Sequence, residues 1–475
     1  MLRLKLFFIV IITAIFLVIS ICTCGQGSYK QTFELAIEKY RVMLENTSNY
    51  DYFPRTQNTN NALIYVKRSD WTSGFYPATL WYMYEYSGDS LFLDRAKNFT
   101  ASLENQKDNT KTHDLGFMMY LPYGNGYRFT ADQSYPPIMQ QSAKSLISRF
   151  NKTVGGTRSW DFGNWEFPII IDNMMNLELL FWAFRHTNDR SFFNMAVSHA
   201  DITLKNHFRD DYSSYHLVDY SKTTGEPLHK QTYQGNSDES SWARGQAWGL
   251  YGYAMCYRET GMKRYLEQAE NIAHYFIDNL PDDFVPWWDF DLTGKTNEPR
   301  DASAAAVAAS GLIELAGQTG NNYYLEVAKK IVESLSSDKY FDKNINVVGN
   351  LLLKHSTGHK PHQSEVDVPL IYADYYFIEA ISRLISLETS TSSQNIPVSK
   401  NNLAIYPNPS RDRVSISSDY ELKKITIHDL TGKEVIATTD TRSAIHIESL
   451  RQGIYFVVAH TQLKGVTIRK KLIKL

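Results

Sequence analysis

An all-α (α/α)6 barrel, six helical hairpins closed into a toroid, followed by a small C-terminal β-sandwich, is the fold this sequence predicts. Three observations predict it. Apolar residues recur at three- and four-residue spacing in about a dozen successive segments up to residue 388. Short turns rich in Gly, Asn and Asp join those segments in pairs, as in antiparallel helix hairpins. Beyond residue 403 the apolar period drops to two.

Residues 1–25 read as a secretory signal peptide. Arg3 and Lys5 supply a positive start, Leu6–Ile21 an apolar run, and Cys22, Thr23 and Cys24 a small-residue region. An uncleaved anchor helix and a lipidated Cys22 or Cys24 are the alternatives. The apolar run is short for a bilayer span, and Ile21 and Thr23 stand where lipoprotein signals carry smaller residues. After cleavage only Cys256 remains, which excludes an intrachain disulfide and leaves no membrane segment.

Residues 29–388 form the helical domain. The apolar spacing predicts helices over Phe33–Leu44, Phe75–Tyr86, Leu91–Leu103, Ile138–Phe150, Met174–Phe184 and Phe192–Leu204. It predicts more over Ala243–Tyr257, Tyr265–Ile277, Ala302–Leu315, Tyr324–Leu335 and Val368–Leu384, with a short helix after His113. Ser87-Gly88-Asp89, Thr187-Asn188-Asp189 and Gly317-Gln318-Thr319-Gly320 are the turn signals between successive pairs. Such a count favours a closed ring over an open solenoid.

Residues 389–402 are rich in Ser, Thr and Asn and read as a linker. Residues 403–475 then alternate as strands do, in Val414-Ser-Ile, Ile425-Thr-Ile, Ile445-His-Ile and Ile454-Tyr-Phe-Val-Val. This tail carries 12 basic against 7 acidic residues, whereas the preceding part is net acidic. Two modules are expected. The whole chain has a formal charge of −2, so no basic balance points to nucleic acid. Its 31 Tyr, 24 Phe and 9 Trp suit a core and also suit sugar binding.

Carboxylates are the best candidates for chemistry. Asp114, after His113, and Asp172, after Ile169-Ile170-Ile171, each stand before an expected helix, where an aspartate also serves as an N-cap. Beside three isoleucines, Asp172 is open to desolvation, which raises a carboxyl pKa toward values useful to a general acid. Gln234, Gln246, Arg244 and Trp248 offer amides for hydroxyls, a guanidinium for an anion and an indole for stacking on a sugar face. The alternative is that Trp242 and Trp248 are core residues and Arg244 binds loop carbonyls. His355, His359 and His362 lie in a loop with Gly358 and Pro361, which is a weak zinc pattern. Phosphate loops and a Gly-x-Ser-x-Gly elbow are missing.

Two resemblances follow from these residues. Tyr406-Pro-Asn-Pro409, Asp429-Leu-Thr-Gly-Lys433, Gly453-Ile-Tyr-Phe-Val457 and the basic end Arg469-Lys-Lys-Leu-Ile-Lys474 resemble the C-terminal sorting domain of the type IX secretion system of Bacteroidota. That implies an export address read by the type IX machinery and a destination at the cell surface, in the medium or in the periplasm. A carbohydrate-binding or adhesion sandwich is the alternative for this tail.

Residues from about 30 to 388 resemble the unsaturated glucuronyl hydrolases, glycoside hydrolase family 88. The resemblance is carried by Asp70-Trp-Thr-Ser-Gly-Phe75, Thr112-His-Asp-Leu-Gly-Phe117, Ile170-Ile-Asp-Asn-Met174 and Trp242-Ala-Arg-Gly-Gln-Ala-Trp248. It continues in Pro286-Trp-Trp-Asp-Phe290, Pro299-Arg-Asp-Ala-Ser-Ala304 and Ile371-Tyr-Ala-Asp-Tyr-Tyr-Phe377. It implies an (α/α)6 barrel that removes 4,5-unsaturated uronic acid from polysaccharide-lyase products by hydrating the C4=C5 vinyl ether. It implies Asp172 as the proton donor and Asp114 as the second essential carboxylate. Trp71, His113, Trp160, His216, Gln234, Arg244 and Trp248 would surround the unsaturated sugar. Ser356 and Lys360 would face a sulfate on the next one. No metal or organic cofactor is implied. The alternatives are an unsaturated rhamnogalacturonyl hydrolase and a catalytically inactive surface glycan-binding protein.

Overall fold

The computed structural model describes residues 29–392 and 403–474, apart from 293, 295–296, 346–348, 407, 409, 419–420, 430–432, 442 and 462–466. The signal-peptide reading and most of the linker lie outside the described residues. The chain divides into two compact units, one ending at Leu387 and the other beginning at Glu388.

The first unit holds twelve helices among the described residues, arranged as alternating inner and outer members of a ring. The outer ones are α1 (residues 29–46), α3 (Ser90–Ser102), α5 (Tyr135–Ile147), α7 (Arg190–Asn206), α9 (Lys263–Asp278) and α11 (Asn322–Leu335). The inner ones are α2 (Phe75–Ser87), α4 (Leu121–Thr130), α6 (Asn173–Thr187), α8 (Ala243–Thr260), α10 (Ala302–Thr319) and α12 (Ile371–Ser392). Burial separates the two sets. In α9 only Tyr265, Gln268, Ala269, Ile272, Ala273 and Phe276 are buried, one stripe at helical spacing. In α8 every residue from Ala243 to Cys256 is buried, and in α10 every residue from Ala302 to Ile313. A helix covered on all sides lies inside the ring.

Successive inner helices touch, α2 with α4, α6 with α8 and α8 with α10. Small residues permit the approach: a Cβ on Gly252 of α8 would stand 2.5 Å from Met174 of α6. α12 closes the circle. Its Tyr375 ring lies 5.6 Å from Phe75 of α2, its Tyr376 ring 5.4 Å from Trp248 of α8, and its Asp374 accepts the Tyr40 hydroxyl of α1 at 3.0 Å.

Three of the hairpin turns share one design. The first helix ends on a left-handed residue (Gly88, Asn188 or Gly320) and the next residue caps the following helix with its side chain. Asp89 accepts from the Leu91 N–H, Asp189 from Ser191 and Asn321 from Tyr323. This reciprocal capping is why the turn signals in the sequence pair the helices correctly. α12 runs past the expected boundary at 388 to Ser392, because no Gly or Pro interrupts it.

Among the described residues, four small antiparallel sheets decorate the ring, and none was foreseen. They are β1 (Tyr52–Gln57) with β2 (Leu63–Lys67), β3 (Phe150–Asn151) with β4 (Gly156–Thr157), the group β5 (Pro168–Ile170), β6 (Leu217–Tyr220), β7 (Pro227–Gln231), and β8 (Ser356–His359) with β9 (Ser364–Val368). The second unit has two sheets: β10 (Leu403–Tyr406), β11 (Arg413–Ser418) and β14 (Ile445–His446) in one. The other has β12 (Leu422–His428), β13 (Glu434–Thr438), β15 (Gly453–Thr461) and the basic β16 (Thr467–Lys474), in the order β13-β12-β15-β16. They bury Ile405, Val414, Ile425, Ile427, Val457 and Leu472 as one core.

Candidate active site

The beginnings of the inner helices converge on one cavity of about 270 Å³. Asp172 directly precedes α6, Arg244 and Tyr372 lie in the first turns of α8 and α12, and Asp114 precedes a π-helical turn, Gly116–Tyr120, that leads into α4. Helix N-termini carry partial positive charge, so this end of the ring favours an anion. Trp71, His113, Trp160 and Gln234 also line the cavity. Later turns of the same helices, at Tyr82, Glu178, Arg258 and Arg383, surround a second cavity of about 510 Å³. An aromatic floor separates the two: Phe117 lies 5.3 Å from Phe75 and 5.2 Å from Trp248, and the tilted Trp71 ring lies 5.8 Å from it.

Neither candidate carboxylate caps its helix. Asp172 has helical backbone angles and makes no side-chain cap. It is 8% exposed, and burial first of all raises its pKa to about 7, against a lowering by Arg244. Its Oδ2 has no well-formed hydrogen bond among the described residues, although the Trp248 indole and His216 Nε2, 3.8 Å away, face it. Asp114 accepts the Thr112 hydroxyl at 2.9 Å, and burial raises it too to about 7, with the Asp172 charge adding to the rise. Asp374 is a third buried carboxyl near 7, but the N–H groups of Leu352 and Leu353 and the Tyr40 hydroxyl occupy it. Asp374 holds a loop, whereas Asp172 lines the cavity, with its Oδ2 buried toward His216.

Two buried histidines flank the pair. His216 Nδ1 accepts from the backbone N–H of Tyr233 at 3.0 Å and of Gln234 at 3.3 Å, so in the neutral ring the proton sits on Nε2, toward Asp172. His113 Nε2 lies 3.5 Å from Asp114 Oδ1. Burial pushes both imidazoles well below their ordinary pKa, which keeps them neutral.

Several expectations change. Trp248 is 0% exposed and lies under Asp172 between Phe117 and Tyr376, so it is a floor residue and stacks on no sugar. His216 likewise stands behind Asp172, off the lining. Gln246 is buried on the Tyr212 carbonyl and the Ser214 N–H. Arg244 lines the cavity but spends its guanidinium on Asp301 at 2.7 Å and on the carbonyls of Thr357 and Gly358 at 2.5 and 2.6 Å. Ser356 is fully buried at the start of β8, and Lys360 sits on the turn after β8 outside the lining. His355 bonds Asp367 and His359 bonds the Tyr233 carbonyl, and no metal-binding cluster exists among the described residues.

The wall also contains residues that no motif announced. Arg55 of β1 lies beside Trp71 and forms paired hydrogen bonds to Asp70 and to Glu365 of β9, which ties two hairpins together at the cavity. Phe162, Tyr233 and His359 add aromatic surface.

Comparisons with known proteins agree with this geometry. Residues 46–287 match the model of Glycosyl Hydrolase Family 88, and residues 404–474 match the secretion system C-terminal sorting domain, which marks the chain for export. An unsaturated glucuronyl hydrolase of Formosa agariphila is 46% identical over 337 residues, 70% of this chain and 84% of the relative. An unsaturated chondroitin disaccharide hydrolase of Streptococcus agalactiae is 33% identical, over 74% of this chain and 90% of the relative. The crystal structure of an unsaturated glucuronyl hydrolase specific for heparin has 45% identity and a TM-score of 0.74, and the match covers 76% of this chain and 98% of that one. The solved relatives share the (α/α)6 barrel seen here, and this chain belongs to glycoside hydrolase family 88.

Proposed function

We propose that the cavity removes a 4,5-unsaturated uronic acid from the non-reducing end of lyase-generated oligosaccharides by hydrating its C4=C5 double bond. The observation that carries this reading is the pair of buried carboxyls near pKa 7 in one aromatic-walled cavity. Protonated Asp172 delivers its proton to C4 as the alkene polarises. The resulting carboxylate accepts a proton from the water that adds at C5, which restores the acid. The hemiketal so formed at C5 collapses and releases the remaining saccharide. Asp114 holds water and sugar hydroxyls, His216 orients Asp172, and Trp71 and Trp160 enclose the ring. Positive helix ends and Arg244 offset the substrate's carboxylate charge. A sulfate-reading role for Lys360 reaches only a sugar beyond the cavity. The sorting domain engages the type IX secretion machinery, so this chemistry takes place on products met outside the cytoplasm.

Addition of the protein to unsaturated glycosaminoglycan or ulvan disaccharides makes the ultraviolet absorbance of the alkene decay. Persistence of that absorbance across sulfated and unsulfated substrates would refute the reading. The donor must hold its proton, and burial keeps it held up to about pH 7. Hence kcat/KM falls about tenfold per pH unit above that point. A flat profile from pH 6 to 9 contradicts the assignment of the acid.

A further inference from the structure

We propose that Asn176, which lies off the cavity lining, is a positioning residue that fixes the separation of Asp114 and Asp172. The proposal rests on the hydrolase reading and adds the side chain that holds its two carboxyls in register.

Asn176 stands one turn after Asp172, on the same face of α6, and is 1% exposed. Its amide reaches both reacting segments. Nδ2 donates to the Asp172 carbonyl at 3.4 Å, and Oδ1 accepts the Phe117 N–H at 3.0 Å. Phe117 belongs to the π-helical turn Gly116–Tyr120 that follows Asp114. The first N–H groups of a helical turn have no partner within it, and a buried one needs an acceptor from elsewhere. Asn176 is that acceptor.

The contact is tight as well as polar. A Cβ on Gly116 would stand 2.6 Å from the Asn176 Cα and 2.7 Å from its Oδ1. From the side of α2, a Cβ on Gly74 would stand 2.8 Å from the Met118 carbonyl oxygen. The turn is therefore clamped between α6 and the entry to α2, and it cannot slide along α6 without breaking the Asn176 bond. Asp114 moves with that turn, because its own carbonyl accepts the Met118 N–H at 2.8 Å.

A clamp of this kind governs rate more than affinity. Proton delivery to C4 and support of the attacking water need both carboxyls in place at once, and an error of about 1 Å costs on the order of 10² in rate. Trp71 and Trp160, which enclose the ring, stand on other segments, so binding survives the loss of Asn176.

Kinetics on the unsaturated disaccharide that the wild type hydrates fastest test this. Asn176→Leu keeps the volume and removes the acceptor, and is expected to lower kcat about 30- to 100-fold with KM held within about threefold. Asn176→Asp retains an acceptor oxygen in either protonation state and is expected to recover kcat to within about fivefold of the wild type. Gly116→Ala pushes the turn off Asn176 and is expected to lower kcat selectively too. It decides the matter where Asn176→Leu fails to fold. Rates are taken per folded molecule, with circular dichroism on the same samples. A kcat within about twofold of the wild type in folded Asn176→Leu or Gly116→Ala overturns the role. So does a loss that falls on KM, or an Asn176→Asp protein as slow as Asn176→Leu. Wild-type protein inert toward every unsaturated disaccharide sinks the hydrolase reading, and this role with it.

Discussion

Asp172→Asn lowers the alkene-hydration rate by about 10³-fold or more, while the protein stays folded. The size follows from the chemistry: an amide cannot donate to carbon, and no second acid stands in the same place. Asp114 is occupied by Thr112, and His113 and His216 are held neutral by burial. Folding should survive because the lost charge stabilises nothing. A carboxyl whose folded pKa is raised costs stability as pH climbs from its unfolded value toward about 7, and the neutral amide carries no such cost. At pH 8 the variant therefore melts at or above the wild-type temperature. Full activity in Asp172→Asn removes the residue from its role, and a variant that loses both rate and fold is not the one described here.

Arg244→Ala produces the second large effect, on stability. The guanidinium is 1% exposed and its partner Asp301 is 0% exposed, so its removal strands a buried carboxylate and two buried carbonyls. Breaking such a pair costs about 3–5 kcal/mol. Asp301 also caps α10 through the N–H groups of Ser303 and Ala304 and receives the Thr357 N–H. One substitution therefore loosens α10 and β8 together. Chemical denaturation should show the loss, with a fall in activity at temperatures where the wild type is intact. An unchanged midpoint would mean that the pair contributes nothing to the fold.

Helices were legible in the sequence because two local signals agree on them. In α7 the apolar stripe places the body, and the Asn188-Asp189 pair places its start, since one residue stops the previous helix and the other caps this one. The small hairpins offered no such agreement. β3 and β4 are two residues each, and Ser356-Thr-Gly-His359 has no apolar alternation. Their positions are set by partners far away in the chain, such as Arg244 on the carbonyls of Thr357 and Gly358. Glu365, likewise, is placed by Arg55.

Asp114 and Asp172 were visible as residues but ambiguous in role, because an aspartate ahead of a helix is written the same way whether it caps or reacts. Only the backbone angles at Asp172 and its place in the cavity wall separate the two. Trp248 shows the reverse. An indole suited to a sugar face is equally suited to a core, and the choice depends on Phe117 and Tyr376, which the fold brings to it.

The rings of Phe75, Phe117 and Trp248 beneath the carboxyl pair turn the cavity into a blind alley. The middle of a polymer has no way through, so only a terminus can enter, and the shortened strand has to withdraw before another is admitted. Such a protein trims and never cuts. Its output is set by the number of termini on offer.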